Sequence, residues 1–277
     1  MGINIPLFQG LSLKIGDNLT GRKEYPTARL QKGFLLLDQG LELAEEAIGF
    51  GVPVLKRGLQ TIFPGAVALT WQRRGSTWEI TALFKLNLVE KISRGGNENL
   101  ENRLVYSVKN LLAAVIRHLP VFRGPLTTIS SKLRRMFNWE TTYADAGFST
   151  VVKMLYTIEE KTEKIIFEID TSDLVPSITE VVVMNELGAH YFDRYLDTSG
   201  ISLEGEEIGC WDDVNAKEAW FESSARQIAF RLRQVKGARL FRGREMIGSR
   251  LAWAGFGYSF PPSIKRLQYE VRIEKLV

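Results

Sequence analysis

The sequence predicts a mainly β protein: a large antiparallel β-sandwich with a helical insertion near residues 99–138. Three observations lead there. Apolar residues recur at every second position over long stretches. The polar residues between them leave each strand one wet face, as antiparallel sheets allow and doubly wound parallel sheets do not. One acid-free stretch instead repeats its apolar residues at helical spacing.

The clearest strand runs from Thr77 to Ile92. Trp78, Ile80, Ala82, Phe84, Leu86, Leu88 and Ile92 share one face, which only Glu90 interrupts. At about 3.3 Å per residue it spans roughly 50 Å, unless a bulge or bend divides it. The preceding AVALTWQ and the turn RRGS supply a hairpin partner. From about Asn99, Leu104, Val108, Leu111, Leu112, Val115 and Leu119 recur as on a helix that Pro120 ends. After Arg123-Gly124-Pro125 a shorter helix carries Ile129, Leu133, Met136 and Phe137.

A second hairpin follows from Thr150 to Asp170. Val152, Met154, Tyr156 and Ile158 run out, Glu160 to Glu163 turn, and Ile165, Phe167 and Ile169 return. Ile228, Phe230 and Leu232 mark another strand. The last carries Leu267, Tyr269, Val271 and Ile273 inward and Gln268, Glu270, Arg272 and Glu274 outward. Strands before and after the helical connection suggest two packed layers. In strand length and chain length the sequence resembles the large β-sandwiches of the galactose mutarotase-like class, common among carbohydrate-active proteins. That resemblance is one of architecture and implies no site residues.

The 277 residues read as a single domain, 1–277, with the helical segment as insertion or connection. The N-terminus MGINIPLFQG lacks a basic start followed by an apolar run, and no 18-residue apolar stretch exists. The lone Cys210 forms no internal disulfide. A cytoplasmic protein is the expectation. Phosphate-loop, dinucleotide and nucleophile-elbow motifs are missing, as is a Cys/His zinc pattern, so no cofactor and no metal are expected.

The net charge of +4 is unevenly spread. Residues 102–139 carry a net of +7, residues 225–250 again +7, and residues 186–222 a net of −8. Either these blocks meet each other in the fold, or they leave surface fields for charged partners.

Three segments are candidates for chemistry. NELGAHYFDRYLD sets Glu186, His190 and Asp193 among aromatic residues. Imidazole beside a carboxylate exchanges protons near neutral pH, and aromatic rings stack on sugar C–H faces. These three are the catalytic candidates; a solvated loop with a packing histidine is the plainer reading. In LEGEEIGCWDDVN, Trp211 stands among five acids that suit sugar hydroxyls or a cation, or simply form an acidic surface loop. In RGREMIGSRLAWAGFGYSF, Trp253, Gly255, Gly257 and Ser259 alternate with Ala254, Phe256 and Tyr258. The glycines leave a recess beside Trp253 that a ligand or a neighbouring ring can fill. Arg242 and Arg244 suit carboxylate or phosphate, or salt bridges to the acidic block. Trp211, Arg242, Arg244 and Trp253 are therefore the ligand-binding candidates.

The leading expectation is a carbohydrate-directed β-sandwich, sugar-binding or sugar-modifying, with a carbohydrate ligand; whether it is an enzyme is open. The alternative is a non-catalytic protein that binds a polyanion or anionic membrane through the basic stretches 102–139 and 225–250. The first of these stretches, basic and helical, would meet the anionic partner. The oligomeric state is not readable from the sequence.

Overall fold

The computed structural model describes residues 2–23, 25–94, 139–209, 211–247 and 251–276. The chain divides into a larger unit, Met1–Val89 with Asp145–Val277, and a smaller one, Glu90–Ala144. The contacts, groove and sites described below lie in the larger unit. The helical insertion expected near 99–138, and with it nearly all of the basic stretch 102–139, falls outside the described residues. Among the described residues there are strands, turns and short 3-10 turns at Pro26–Arg29 and Gly205–Ile208, with no α-helix.

Eighteen strands are described: β1 (Gly2–Pro6), β2 (Leu11–Gly16), β3 (Leu35–Asp38), β4 (Leu41–Glu42), β5 (Phe50–Arg57), β6 (Gln60–Arg74), β7 (Thr77–Arg94), β8 (Trp139–Glu159), β9 (Lys164–Asp170), β10 (Glu180–Leu187), β11 (Arg194–Asp197), β12 (Ser202–Glu204), β13 (Asp212–Asp213), β14 (Glu218–Ser223), β15 (Ile228–Arg233), β16 (Arg239–Ile247), β17 (Leu251–Phe260) and β18 (Arg266–Lys275). The first four form a small sheet. The other fourteen form one large antiparallel sheet in the order β12-β11-β14-β15-β18-β9-β8-β7-β6-β5-β10-β17-β16-β13.

The long strands follow from alternation. Along β7, Ile80, Ala82, Phe84, Leu86 and Leu88 are buried, while Glu79, Thr81 and Leu83 lie on the other face. The partner strand β6 meets β7 from Arg74↔Thr77 down to Ile62↔Val89, with its register shift at Pro64. Proline lacks the N–H that a ladder needs, so a bulge is where a strand tolerates it. The β8–β9 hairpin pairs Ile158↔Ile165, Tyr156↔Phe167 and Met154↔Ile169, all buried.

The core shows how the sheet is placed. Phe256 on β17 lies 4.9 Å from Phe221 on β14 and 5.7 Å from Phe230 on β15, strands toward the other end of the sheet order. Tyr258 on β17 meets Tyr269 on β18 at 4.8 Å, and Phe50 on β5 meets Phe230 at 5.4 Å. The β5–β10–β17–β16 stretch therefore faces the β9–β18–β15–β14 stretch across one apolar interior. Each buried ring removes about 150–250 Å² from water. At the centre stands a polar group, Asn185 on β10: its Oδ1 accepts from the Gly51 N–H at 3.1 Å and from the Tyr269 hydroxyl at 3.0 Å. Pairing is what lets a buried amide oxygen sit among aromatic rings.

The opposite charge blocks meet in part. Arg233 pairs with Glu218, Arg239 with Asp213 and Arg242 with Asp212, at 3.3, 2.8 and 3.5 Å. Arg226 and Arg231 find Asp38 and Glu274. Five of the cations in 225–250 thus already face acids. Arg250 lies outside the described residues.

Candidate functional site

Strand β10 carries the first candidate on the side opposite Asn185. Glu186 is buried, its amide bonds to the Gly49 carbonyl at 3.0 Å, and its Oε2 accepts the Ile48 N–H at 3.4 Å. Burial pushes its carboxyl up to about 8; the Ile48 N–H opposes that shift and the charge of Glu245 adds to it. At neutral pH this side chain is held as the acid.

Beyond β10 the chain turns at Gly188 and Ala189, and the segment 43–49 runs beside it, the Gly188 N–H donating to the Leu43 carbonyl at 2.8 Å. That segment brings Glu45 to His190. The imidazole Nδ1 lies 2.9 Å from Oε1 and 3.0 Å from Oε2 of Glu45, with the histidine side chain 46% exposed. Glu45 holds a left-handed backbone, φ 50°. Gly188 matters by closeness rather than by its dihedrals: a Cβ there would displace the Glu45 side chain from its place on His190. A carboxylate on Nδ1 favours the tautomer that carries its proton there, which leaves Nε2 as the acceptor of the half-exposed ring.

Polar neighbours hold this segment from below. Lys32 is buried, its Nζ donating to the Glu45 carbonyl at 2.5 Å and lying 3.6 Å from Glu42. Burial draws its ammonium below the usual lysine range, while Glu42 and Glu46 pull it back up. Glu46, also buried, accepts from the Thr27 hydroxyl at 2.8 Å.

On the other side, Arg244 donates to the Ala189 carbonyl at 3.0 Å. Burial lowers its pKa against the upward pull of Asp193 and Glu206. Asp193 is exposed on this flank, so the acid joined to His190 is Glu45 and not Asp193. Glu186, His190, Asp193 and Arg244 thus cluster around the carboxyl end of β10. The acid that sequence reasoning missed, Glu45, is 145 residues from its histidine. Only the doublet Glu45-Glu46 ahead of a Gly-containing strand start hinted at it.

The remaining candidates gather at the β13 edge of the sheet. Trp211 stacks on Trp253 with ring centres 4.3 Å apart and planes 16° from parallel, and Phe241 closes the side at 5.2 Å. A Cβ at Gly243 would stand 2.8 Å from both the Trp211 amide and the Trp253 ring, so the stack needs the glycine. The recess expected beside Trp253 is filled from within the protein by Trp211 and Phe241. Arg242 points the other way: its guanidinium lies 4.4 Å over the Tyr195 ring and donates to the Ile208 carbonyl and to Asp212. Asp197, another acid of the same segment, is structural: it accepts from Tyr195, Ser199 and Ile201, which hold its carboxyl below the usual range against its burial. Cys210 lies outside the described residues.

A groove of about 610 Å³ crosses the opposite outer face of the large sheet, over β6, β7, β8, β9 and β18. Its lining includes none of the seven candidates. Among the described residues no group of three or more His, Cys, Asp or Glu side chains is placed to hold a metal ion. Nor is any described helix long and apolar enough to cross a membrane.

No family model and no curated protein matches the sequence. Solved structures do. The α-N-acetylgalactosaminidase NagBb from Bifidobacterium bifidum superposes with TM-scores of 0.51 as its GalNAc complex and 0.50 as its Gal-NHAc-DNJ complex, at 12% identity. Both matches cover 99% of this chain and 36% of that one, so the chain spans about a third of that enzyme's length. Slr1438 from Synechocystis sp. PCC 6803 matches over 99% of this chain and 96% of its own at TM-score 0.40 and 7% identity, a likeness too slight to bear on the fold. At such identities what this chain shares with NagBb is a fold.

Proposed function

We propose that this chain is a carbohydrate-directed β-sandwich that modifies a saccharide at the carboxyl end of β10, with His190 as the proton-transfer group. The observation that carries the reading is the His190–Glu45 pair at 2.9–3.0 Å on a half-exposed histidine. Glu45 accepts from Nδ1 and stabilises the imidazolium formed when Nε2 takes a proton from a sugar oxygen. Glu186 is buried and takes no direct part in the proton transfer; the exposed Asp193 offers an acceptor to sugar hydroxyls on the flank. The stacked Trp211, still 39% exposed, presents a ring to a sugar's C–H face at the sheet edge. The likeness of fold to a sugar-bound glycosidase supports a carbohydrate ligand, though folds host many functions. The reading includes a single β-sandwich domain and a cytoplasmic location.

The test is a proton NMR time course of mono- and disaccharides with the purified protein, following anomeric exchange and glycosidic cleavage. Conversion that falls about 100-fold or more in both His190→Gln and Glu45→Gln is the expected outcome. No conversion of any sugar, or conversion unchanged in both variants, overturns it.

A further inference from the structure

The groove on the outer face of β6–β9 and β18 has no part in the β10 site. Period two puts Thr70 and Gln72 of β6, Glu79 and Thr81 of β7, Leu155 and Thr157 of β8, Ile166 and Glu168 of β9, and Gln268 of β18 on one solvent-facing surface. Pairing sets them in rows: Thr70 opposite Thr81, Gln72 opposite Glu79, and Leu155, Glu168 and Gln268 across three strands. Neighbours across such rows stand about 5 Å apart, and successive residues on one face about 7 Å.

The chemistry of this surface narrows its ligand. Gln72 donates to Glu79, and Arg74 lies 3.9 Å from the same carboxylate. The hydroxyls of Thr70, Thr81 and Thr157, the Gln268 amide and the Glu168 carboxylate make no hydrogen bond to the described residues. Their donors and acceptors are open to a ligand. Among the described lining residues there are two carboxylates, one of them beside Arg74, and no Lys or Arg, so the surface suits a neutral ligand better than an anion. Its apolar lining is Leu155, Ile166 (37% exposed), Trp71 (43% exposed) and the buried Ile80 and Tyr156, set among the polar groups. A volume of about 610 Å³ falls in the range of small-ligand sites.

We propose that this groove is a second saccharide site that holds a neutral oligosaccharide by its hydroxyls, on the sheet face away from His190. The proposal rests on the carbohydrate reading above but not on the chemistry at His190. It makes the protein bivalent for glycan, with one site that retains and one that reacts.

The experiment is amide-resolved NMR titration of the full chain with maltotriose, cellotriose and galactotriose, each run on the wild type, Thr157→Trp, Glu168→Lys and His190→Gln. Thr157→Trp fills the groove with a residue that strands accept, and Glu168→Lys keeps its size while removing an acceptor. The expected result is saturable shifts on β6–β9 and β18 with at least one trisaccharide, weakened at least tenfold by both groove variants and unchanged by His190→Gln. Binding undiminished in both folded groove variants overturns the proposal. So does the absence of shifts on these strands with all three sugars; if His190-dependent conversion persists in that case, the β10 reading survives alone. Groove binding without any conversion sinks the β10 reading and keeps this one. Self-association that Thr157→Trp abolishes, with no glycan shift, would reassign the face to a second copy of the chain.

Discussion

Replacing Glu186 by Gln isolates the cost of burying a carboxyl. Unfolded, the side chain titrates near 4.5; folded, burial pushes it up to about 8. The folded state therefore keeps its proton longer than the unfolded state. Below about pH 4.5 both states are protonated and the contribution is fully present. Between the two values the unfolded chain gains by releasing the proton, and stability falls by about 1.4 kcal/mol per pH unit. From pH 5 to pH 8 that amounts to about 3.5 kcal/mol, an upper figure for a group whose surroundings do not relax. Glutamine keeps an acceptor for the Ile48 N–H and has no proton to lose. Urea unfolding of both proteins at pH 5, 6.5 and 8 reads the difference. The wild type should lose stability across the series more steeply than Glu186→Gln, which should be the more stable of the two at pH 8. Parallel pH profiles, or a variant that is weaker at pH 8, would refute the assignment of Glu186 as a buried acid.

Gly188→Ala should drive the Glu45 carboxylate off His190, cutting sugar conversion at least tenfold, with little change in denaturation because the displaced atoms end a flexible side chain. Phe256→Ala removes the ring that joins β17 to β14 and β15; it should destabilise by about 3–5 kcal/mol, seen as an earlier thermal transition with no change in the pH profile. Gly243→Val should separate Trp211 from Trp253, and near-ultraviolet circular dichroism should lose the signal of the stacked pair while the far-ultraviolet spectrum stays β.

Much of the fold is readable from alternation. The hairpins 66–92 and 150–170 and the last strand announce themselves because one face of each is wet, so polar residues mark every second position. The strands that build the middle of the β10 site do not. Val181, Val182, Val183 and Met184 are buried on both faces, and a continuous apolar run has no period to read. The small sheet β1–β4 escaped notice because its strands are two to six residues long, too short for a pattern. The even-odd split along β17 was legible, including the recess beside Trp253; what filled it was not, since Trp211 arrives from another segment. The same holds for the histidine. His190 stands out by its neighbours in sequence, but its carboxylate partner is set by a loop that strand pairing brings across 145 residues. The pairing of the 186–222 and 225–250 blocks was an even choice from sequence, and β13, β14 and β16 bring them together in part, where Asp212, Asp213 and Glu218 meet Arg242, Arg239 and Arg233.

The proposed role of Glu45 is to orient His190 for proton transfer on a sugar. The chain has two histidines, so a long-range proton–nitrogen NMR spectrum of the imidazoles, with His118 replaced for assignment, reads it directly. Neutral His190 should carry its proton on Nδ1, Glu45→Gln should shift this population toward the Nε2 form, and an added saccharide substrate should move the Nε2 resonance. An Nε2-protonated ring, indifferent to Glu45→Gln and to every sugar tried, would contradict it.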